Sequence, residues 1–222
     1  MKEITYLERD ALEMGLAERL ADDLLKALSQ KDRVTFAVAG GTTPVPVYEF
    51  LSAVSLDWAR VDIVLTDERW VPESNAQSNA SMIKSCLLQD KASAAKFHPI
   101  YHEGDRDSAI RRAAIDVGPL LPIDVVLLGM GQDMHTASLF PQDPALALAF
   151  EQTGQIFVAA TAPNGDARVS MGAATLNSAA HKHLLIVGNA KKQAFEDAKK
   201  INDPFAAPIM AVAHGLTVHW AK

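Results

Sequence analysis

The sequence predicts a three-layer, Rossmann-like α/β fold with a largely parallel sheet covered by helices on both faces. Three observations carry that expectation: several short and nearly continuous apolar runs, a polar or glycine-rich turn after each, and a helix-like segment before the next. A strand buried on both faces reads as such a run, and parallel neighbours need a crossover that a helix supplies.

In chain order, residues 7–29 come first, with Leu12, Leu16, Leu20, Leu24 and Leu28 at four-residue spacing among charged positions. That is the stripe of an amphipathic helix. The period then changes. Arg33-Val34-Thr35-Phe36-Ala37-Val38-Ala39-Gly40 is β-branched, aromatic and closed by glycine, as a buried strand would be. Val61-Asp62-Ile63-Val64-Leu65-Thr66-Asp67, Asp124-Val125-Val126-Leu127-Leu128-Gly129 and His183-Leu184-Leu185-Ile186-Val187-Gly188 repeat the pattern, and Leu216-Thr217-Val218-His219-Trp220 adds a last strand. Helix-like segments fall at 43–54, 76–89, 106–119, 169–179 and 191–200, with peripheral loops expected at Asp90–Glu103 and Pro141–Glu151. No repeat or low-complexity linker interrupts residues 1–222, so a single domain is expected, one that buries roughly 70% of its unfolded surface.

Composition narrows the function classes. The hydrophobic fraction is 49%, the charged fraction 22% and the net charge −6. No stretch approaches the roughly 20 apolar residues of a membrane span, and the start Met1-Lys2-Glu3-Ile4 lacks a secretory pattern, so a soluble, cytoplasmic protein without membrane partners is expected. The acidic balance argues against nucleic-acid binding and requires any anionic ligand to be held by locally clustered positive groups. Cys86 is the only cysteine, which excludes an internal disulfide and a multi-cysteine zinc site. Between Met82-Ile83 and Leu87-Leu88 it reads as a buried, inert thiol on a helix.

In sheets of this kind, ligands bind where loops converge at the carboxyl ends of the strands. Gly40-Gly41-Thr42-Thr43-Pro44 joins a strand to a helix; its glycines admit a ligand close to the backbone, and threonine hydroxyls and helix-start N–H groups can donate to phosphate. Alone it fits a plain turn with a threonine N-cap equally well, and it lacks the lysine of a Walker loop. Thr66-Asp67-Glu68-Arg69-Trp70-Val71-Pro72, with Ser78-Asn79 after it, places a guanidinium at a second strand end, either paired with its acidic neighbours or free to hold phosphate or polarise a carbonyl.

The third loop, Gly129-Met130-Gly131-Gln132-Asp133-Met134-His135-Thr136-Ala137-Ser138-Leu139-Phe140-Pro141, sets His135 two residues after Asp133 in polar, glycine-flanked surroundings suited to a base near neutral pH. Gly129-x-Gly131 is not a dinucleotide fingerprint, because Met134 occupies the third glycine position; no nicotinamide or other cofactor is expected. Arg168, before the expected helix 169–179, and Lys191, after Gly188-Asn189-Ala190, supply positive charge. His98, His102, His181, His183, His214 and His219 form no convincing metal pattern; His181 and His183 share a strand face but lack a third ligand, and no metal is expected.

Read together, these blocks resemble the 6-phosphogluconolactonases of the pentose phosphate pathway, which share a fold with glucosamine-6-phosphate deaminases. The resemblance covers most of the chain in family order: Ala39–Pro44, Thr66–Pro72, Ser78-Asn79, Gly129–Asp133, His135–Pro141 and Gly188-x-x-Lys191. One departure is Met134, where the family has glycine. A position that needs positive φ would be strained by methionine.

The resemblance implies a sugar-phosphate lactone as the small-molecule substrate. His135 would activate water, Asp133 or Asp67 would orient the imidazole or the water, and Arg69 would stabilise the oxyanion. Gly40, Gly41, Thr42, Thr43, Asp67, Asn79, Gly131, Arg168 and Lys191 would bind substrate, the threonine loop, Arg168 and Lys191 holding the 6-phosphate. A monomer is the working expectation. Two alternatives remain: an amino-sugar phosphate deaminase, which would want a carboxylate where Phe140 stands, and a non-catalytic sugar-phosphate sensor, hinted at only by Met134.

Overall fold

The five leucines at four-residue spacing all turn inward. Leu12, Leu16, Leu20 and Leu24 are fully buried and Leu28 nearly so, each contributing about 1.5–3 kcal/mol by leaving water. They press the first long helix onto the central sheet. The computed structural model describes residues 1–151 and 155–222. Its strands and helices run β1 (Lys2–Thr5), α1 (Arg9–Leu28), β2 (Val34–Val38), α2 (Val45–Ser52), β3 (Val61–Leu65), β4 (Asp67–Arg69), α3 (Asn79–Cys86), β5 (Lys96–His98), α4 (Arg106–Val117), β6 (Val125–Gly129), α5 (Leu146–Ala149), β7 (Phe157–Thr161), β8 (Ala167–Met171), α6 (Ala173–Asn177), β9 (His181–Val187), α7 (Asn189–Ile201) and β10 (Leu216–Ala221).

Seven strands form a parallel sheet in the order β1-β10-β9-β6-β2-β3-β5. Every residue of β2 and β3 is buried, which is why both appear in the sequence as unbroken apolar runs. The polar exceptions are satisfied. Asp62 in β3 accepts from Arg33 at 2.7 Å and bonds His98 at 2.8 Å, so its burial does not leave a charge unpaired.

The chain runs outward from β2 through β3 to β5, and outward on the other side from β6 through β9 to β10. The direction of winding therefore reverses between β2 and β6. At such a switch point the following loops diverge and leave a crevice at the strands' carboxyl ends. The Gly40–Pro44 and Gly129–His135 loops flank it.

The structure corrects several local expectations. The run Val61–Asp67 is two strands: β3 ends at Leu65, and β4 leaves the main sheet to pair antiparallel with β8, which pairs in turn with β7. The segment 169–179 is not one helix, because Val169–Met171 completes β8 and only Ala173–Asn177 is helical. Lys2–Thr5 adds an unexpected parallel edge strand on β10, and Asp90–Glu103 contains β5 and a short 3-10 helix, Asp90–Ala94. Pro141–Glu151 holds the one-turn α5. Cys86 is buried on α3, and burial pushes its thiol up to about 12, an unreactive state. Among the described residues, no helix is long and apolar enough to cross a membrane.

Candidate active site

A cavity of about 200 Å³ opens at the switch point, lined by Gly40, Gly41, Thr43, Asp67, Arg69, Asn79, Gly131, His135 and Lys191 among others. Nine of the residues singled out in the sequence thus meet in one concavity. Asp133 and Arg168 line an adjoining cavity of about 340 Å³, which shares Asp67, Arg69, His135 and Ala137 with the first. Thr42 lines neither and is exposed.

The first wall is the loop after β2. Gly41 has φ +88°, a conformation that favours glycine. Gly40 is required for a different reason: a Cβ there would fall inside the amide of Asn79, whose Nδ2 donates to the Asp67 carbonyl at 2.9 Å. The threonine N-cap, one of the two readings this loop allowed, is absent. Pro44 occupies the cap position of α2 without a side-chain bond, and neither Thr42 nor Thr43 has a hydroxyl hydrogen bond among the described residues. The Thr43 hydroxyl is therefore uncommitted at the rim of the cavity. Across from it, Lys191 sits in the first turn of α7 without an ion-pair partner among the described residues, and burial holds its ammonium below the ordinary value.

The second wall comes from β4 and the start of α3. Arg69 does not pair with its acidic neighbours; Nη1 donates to the Gln77 carbonyl at 2.6 Å. Glu68 instead points the other way, as strand alternation requires. Its buried carboxylate accepts from the backbone N–H of Arg69, Asn79 and Ala80 at 2.8, 2.7 and 2.8 Å. Burial raises its pKa, and the three N–H donors only partly offset that. Glu68 thus ties β4 to the N-terminus of α3, where negative charge is favoured. Asp67 accepts from the Ser138 hydroxyl at 2.6 Å and the Thr66 hydroxyl at 3.3 Å.

The third wall is the loop after β6, closed into a tight ring by Gly131 N–H to the His135 carbonyl and Met134 N–H to the Gly131 carbonyl, both 3.0 Å. His135 Nδ1 lies 2.5 Å from Asp133 Oδ1. A carboxylate only accepts, so Nδ1 carries the proton and Nε2 keeps its lone pair. Nε2 has no hydrogen-bond partner among the described residues. Of the two aspartates expected to orient the ring, Asp133 is the one that touches it. Burial acts to raise the Asp133 pKa, but the hydrogen bonds it accepts from the His135 ring and backbone outweigh it and hold the carboxyl below its usual range. Gly131 lies against this pair: a Cβ there would overlap Asp133 Oδ1 and the imidazole. Phe140 packs on the ring at 4.8 Å between centroids. Met134 has φ +69°, so methionine occupies the left-handed conformation that the glycine comparison raised as a concern. Its carbonyl accepts from Ile209 N–H at 3.1 Å, and its side chain packs on the core.

Arg168 does not precede a helix. It lies in β8, directly opposite Arg69 of β4, with Nη2 3.3 Å from Asp166. Sequence reasoning also missed Ser138, Ser170 and Glu68. Ser170 Oγ accepts from Ser138 N–H at 3.1 Å, holding the hydroxyl against Asp67. The turn Pro163-Asn164-Gly165 between β7 and β8 is the signal that identifies the hairpin and so the true position of Arg168.

The family model for glucosamine-6-phosphate isomerases/6-phosphogluconolactonase matches residues 7–220. A 6-phosphogluconolactonase of Mesorhizobium japonicum is 37% identical over 222 residues, covering 97% of this chain and 93% of the relative. One from Pseudomonas aeruginosa is 38% identical over 211 residues, covering 93% and 89%. The crystal structure of a 6-phosphogluconolactonase from Shewanella baltica superposes with a TM-score of 0.96 at 31% identity, covering 100% of this chain and 98% of that one. A monomeric glucosamine-6-phosphate deaminase shares the fold, with a TM-score of 0.81 at 20% identity. The site sits where a parallel sheet reverses its winding, and the match extends almost from end to end; the chain belongs to the glucosamine-6-phosphate isomerase/6-phosphogluconolactonase family.

Proposed function

We propose that the chain, as one catalytic domain over residues 1–222, hydrolyses 6-phospho-D-glucono-1,5-lactone to 6-phospho-D-gluconate in the pentose phosphate pathway. One observation carries the reading: an imidazole backed by a carboxylate, with Nε2 unpartnered among the described residues, lines the same cavity as an uncommitted lysine and a glycine-threonine loop. The naming of the relatives as 6-phosphogluconolactonases agrees with it.

Gly40, Gly41, Thr43 and Lys191 hold the 6-phosphate, which fixes the lactone ring at a distance from the reacting carbon. Water, hydrogen-bonded to His135 Nε2, gives up a proton as its oxygen bonds to C1. Electron density moves onto the carbonyl oxygen, where Arg69 stabilises the developing charge. Asp133 stabilises the imidazolium formed. Collapse of the tetrahedral intermediate breaks the bond from C1 to the ring oxygen, which takes the proton and becomes the C5 hydroxyl. Water has then been added across the ester, and the product acid ionises.

The deaminase reading would place a carboxylate near the histidine to open an amino-sugar ring. Phe140, buried and packed on His135, makes that position apolar. Freshly generated lactone and glucosamine 6-phosphate, supplied separately, distinguish the readings. Acid release above the spontaneous rate is expected from the first and no ammonia from the second. Ammonia release would replace this function by deamination, and binding of 6-phosphogluconate without turnover would make the protein a sensor.

A further inference from the structure

Arg69 and Arg168 are register partners across β4 and β8, so their side chains leave the same face of the sheet from opposed positions. Directly opposed like charges on one sheet face repel. Neither residue has a carboxylate strong enough to absorb both charges: Arg69 donates to a backbone carbonyl, while Arg168 meets Asp166 at 3.3 Å through one nitrogen. Asp166 is itself shared with the Asn164 amide at 2.9 Å. The Arg168 side chain is only 13% exposed, so solvent screens it poorly.

The cavity that both arginines line also holds His135 and Asp133, the base and its orienting carboxylate. Lys191, Gly40, Gly41 and Thr43 line the other cavity, which adjoins this one along Asp67, Arg69, His135 and Ala137. A sugar-phosphate chain has an anion at each end after hydrolysis, a phosphate on C6 and a carboxylate on C1. Lys191 lines only the cavity with the glycine-threonine loop and Arg168 only the one with Asp133, with Arg69 between them on the lining common to both.

We propose that Arg168 binds the C1 end of the substrate, pairing with Arg69 around the oxyanion and then the product carboxylate, and takes no part in holding the phosphate. The assignment rests on the lactonase reading above. It makes Arg168 a determinant of which C1 chemistry the enzyme accepts: a C1 acyl group that gains negative charge relieves the repulsion between the two guanidiniums, whereas a neutral C1 alcohol does not. Planar guanidinium forks suit a carboxylate, with its two oxygens, better than a single ammonium would.

Two open-chain ligands that differ only at C1 test this: 6-phosphogluconate and sorbitol 6-phosphate, titrated calorimetrically into wild type, Arg168→Met and Lys191→Met. Arg168→Met is expected to weaken 6-phosphogluconate at least tenfold and to leave sorbitol 6-phosphate within twofold. Lys191→Met is expected to weaken both alike. Arg168→Lys, which keeps charge but loses the fork, should fall between wild type and Arg168→Met for 6-phosphogluconate, and it serves as the test if the methionine variant does not fold. Equal weakening of both ligands by the Arg168 variants, or no weakening of either, overturns the proposal. Failure of the lactonase reading is separately visible as wild-type enzyme that does not accelerate lactone hydrolysis.

Discussion

Two of the protein's histidine–aspartate arrangements look alike as residue pairs and differ in what their surroundings leave available. At the switch point, Asp133 engages His135 Nδ1 and leaves Nε2 facing a cavity. Under α1, Asp23 Oδ2 lies 3.2 Å from His183 Nε2, His183 Nδ1 lies 3.0 Å from His219 Nε2, and His219 Nδ1 lies 2.9 Å from the Tyr6 hydroxyl. The carboxylate can only accept, so in the neutral ladder His183 donates to Asp23, His219 donates to His183 and Tyr6 donates to His219. Every ring nitrogen is used. A fully satisfied buried network fixes packing, whereas a base needs one nitrogen left over and room for a substrate beside it.

The sharpest way to break this comparison is to remove each histidine. His135→Ala is expected to lower kcat by about 10²–10⁴-fold, the usual contribution of a positioned acid or base, while calorimetric binding of 6-phosphogluconate stays near wild type. Wild-type turnover in this variant would eliminate His135 as the base. Asp133→Asn should have a smaller effect, a loss of about 10²-fold in kcat, because an amide can donate to Nδ1 and shift the proton to Nε2, the nitrogen that must accept. A kcat unchanged within twofold would mean that the backbone ring of the loop alone orients the imidazole.

His219→Phe tests the other arrangement. It leaves the Tyr6 hydroxyl and His183 Nδ1 without their partner, at a cost of about 1–3 kcal/mol, and should spare kcat. Its clearer signature is in pH dependence. Burial, reinforced by the nearby positive groups, holds His219 down to about 3 from an ordinary 6.5. Unfolding between those values therefore takes up a proton. Stability is complete above about 6.5 and falls toward pH 3 by up to about 1.4 kcal/mol per pH unit. Asp23 adds to this at lower pH. Burial alone would raise its carboxyl, but the His183 hydrogen bond and the His181 and Arg19 charges bring it to about 2 from 3.8, so its contribution is lost only as pH falls through that interval. Urea midpoints measured from pH 7.5 to 4 should fall steeply in wild type and more shallowly in His219→Phe. Parallel slopes would show that His219 is not the group taking up the proton.

The two regions were unequally legible in the sequence. The parallel strands announce themselves because burial on both faces demands unbroken apolar runs, and His135 is recognisable because its loop follows such a run between glycines. The buried ladder was invisible beyond His181 and His183 sharing a face: Asp23 is 160 residues from His183, and only the packing of α1 on the sheet brings them together. β1 was missed because Lys2–Thr5 is a largely exposed edge strand with no apolar run. Arg168 was misplaced for a related reason. β8 pairs locally with β7, but its other partner, β4, lies about 100 residues earlier, and a short half-buried strand beside a five-residue helix has too little period of its own to separate the two.

Met134 is where the two regions differ in backbone as well as chemistry. The ladder sits on regular strands and a helix, whereas the loop after β6 holds a methionine at φ +69° between Asp133 and His135, a conformation costing about 1–2 kcal/mol relative to glycine. The ring of hydrogen bonds through Gly131, the Ile209 N–H on the Met134 carbonyl and the packing of the side chain on the core all oppose relaxation. Met134→Gly removes the strain but also removes that packing and loosens the unfolded chain. These terms nearly cancel, so thermal unfolding should shift by no more than about 4 °C and kcat should stay within twofold. A tenfold loss of kcat with unchanged stability would instead mean that the methionine side chain holds the loop in register for His135, making it the counterpart of the packing that immobilises the buried ladder.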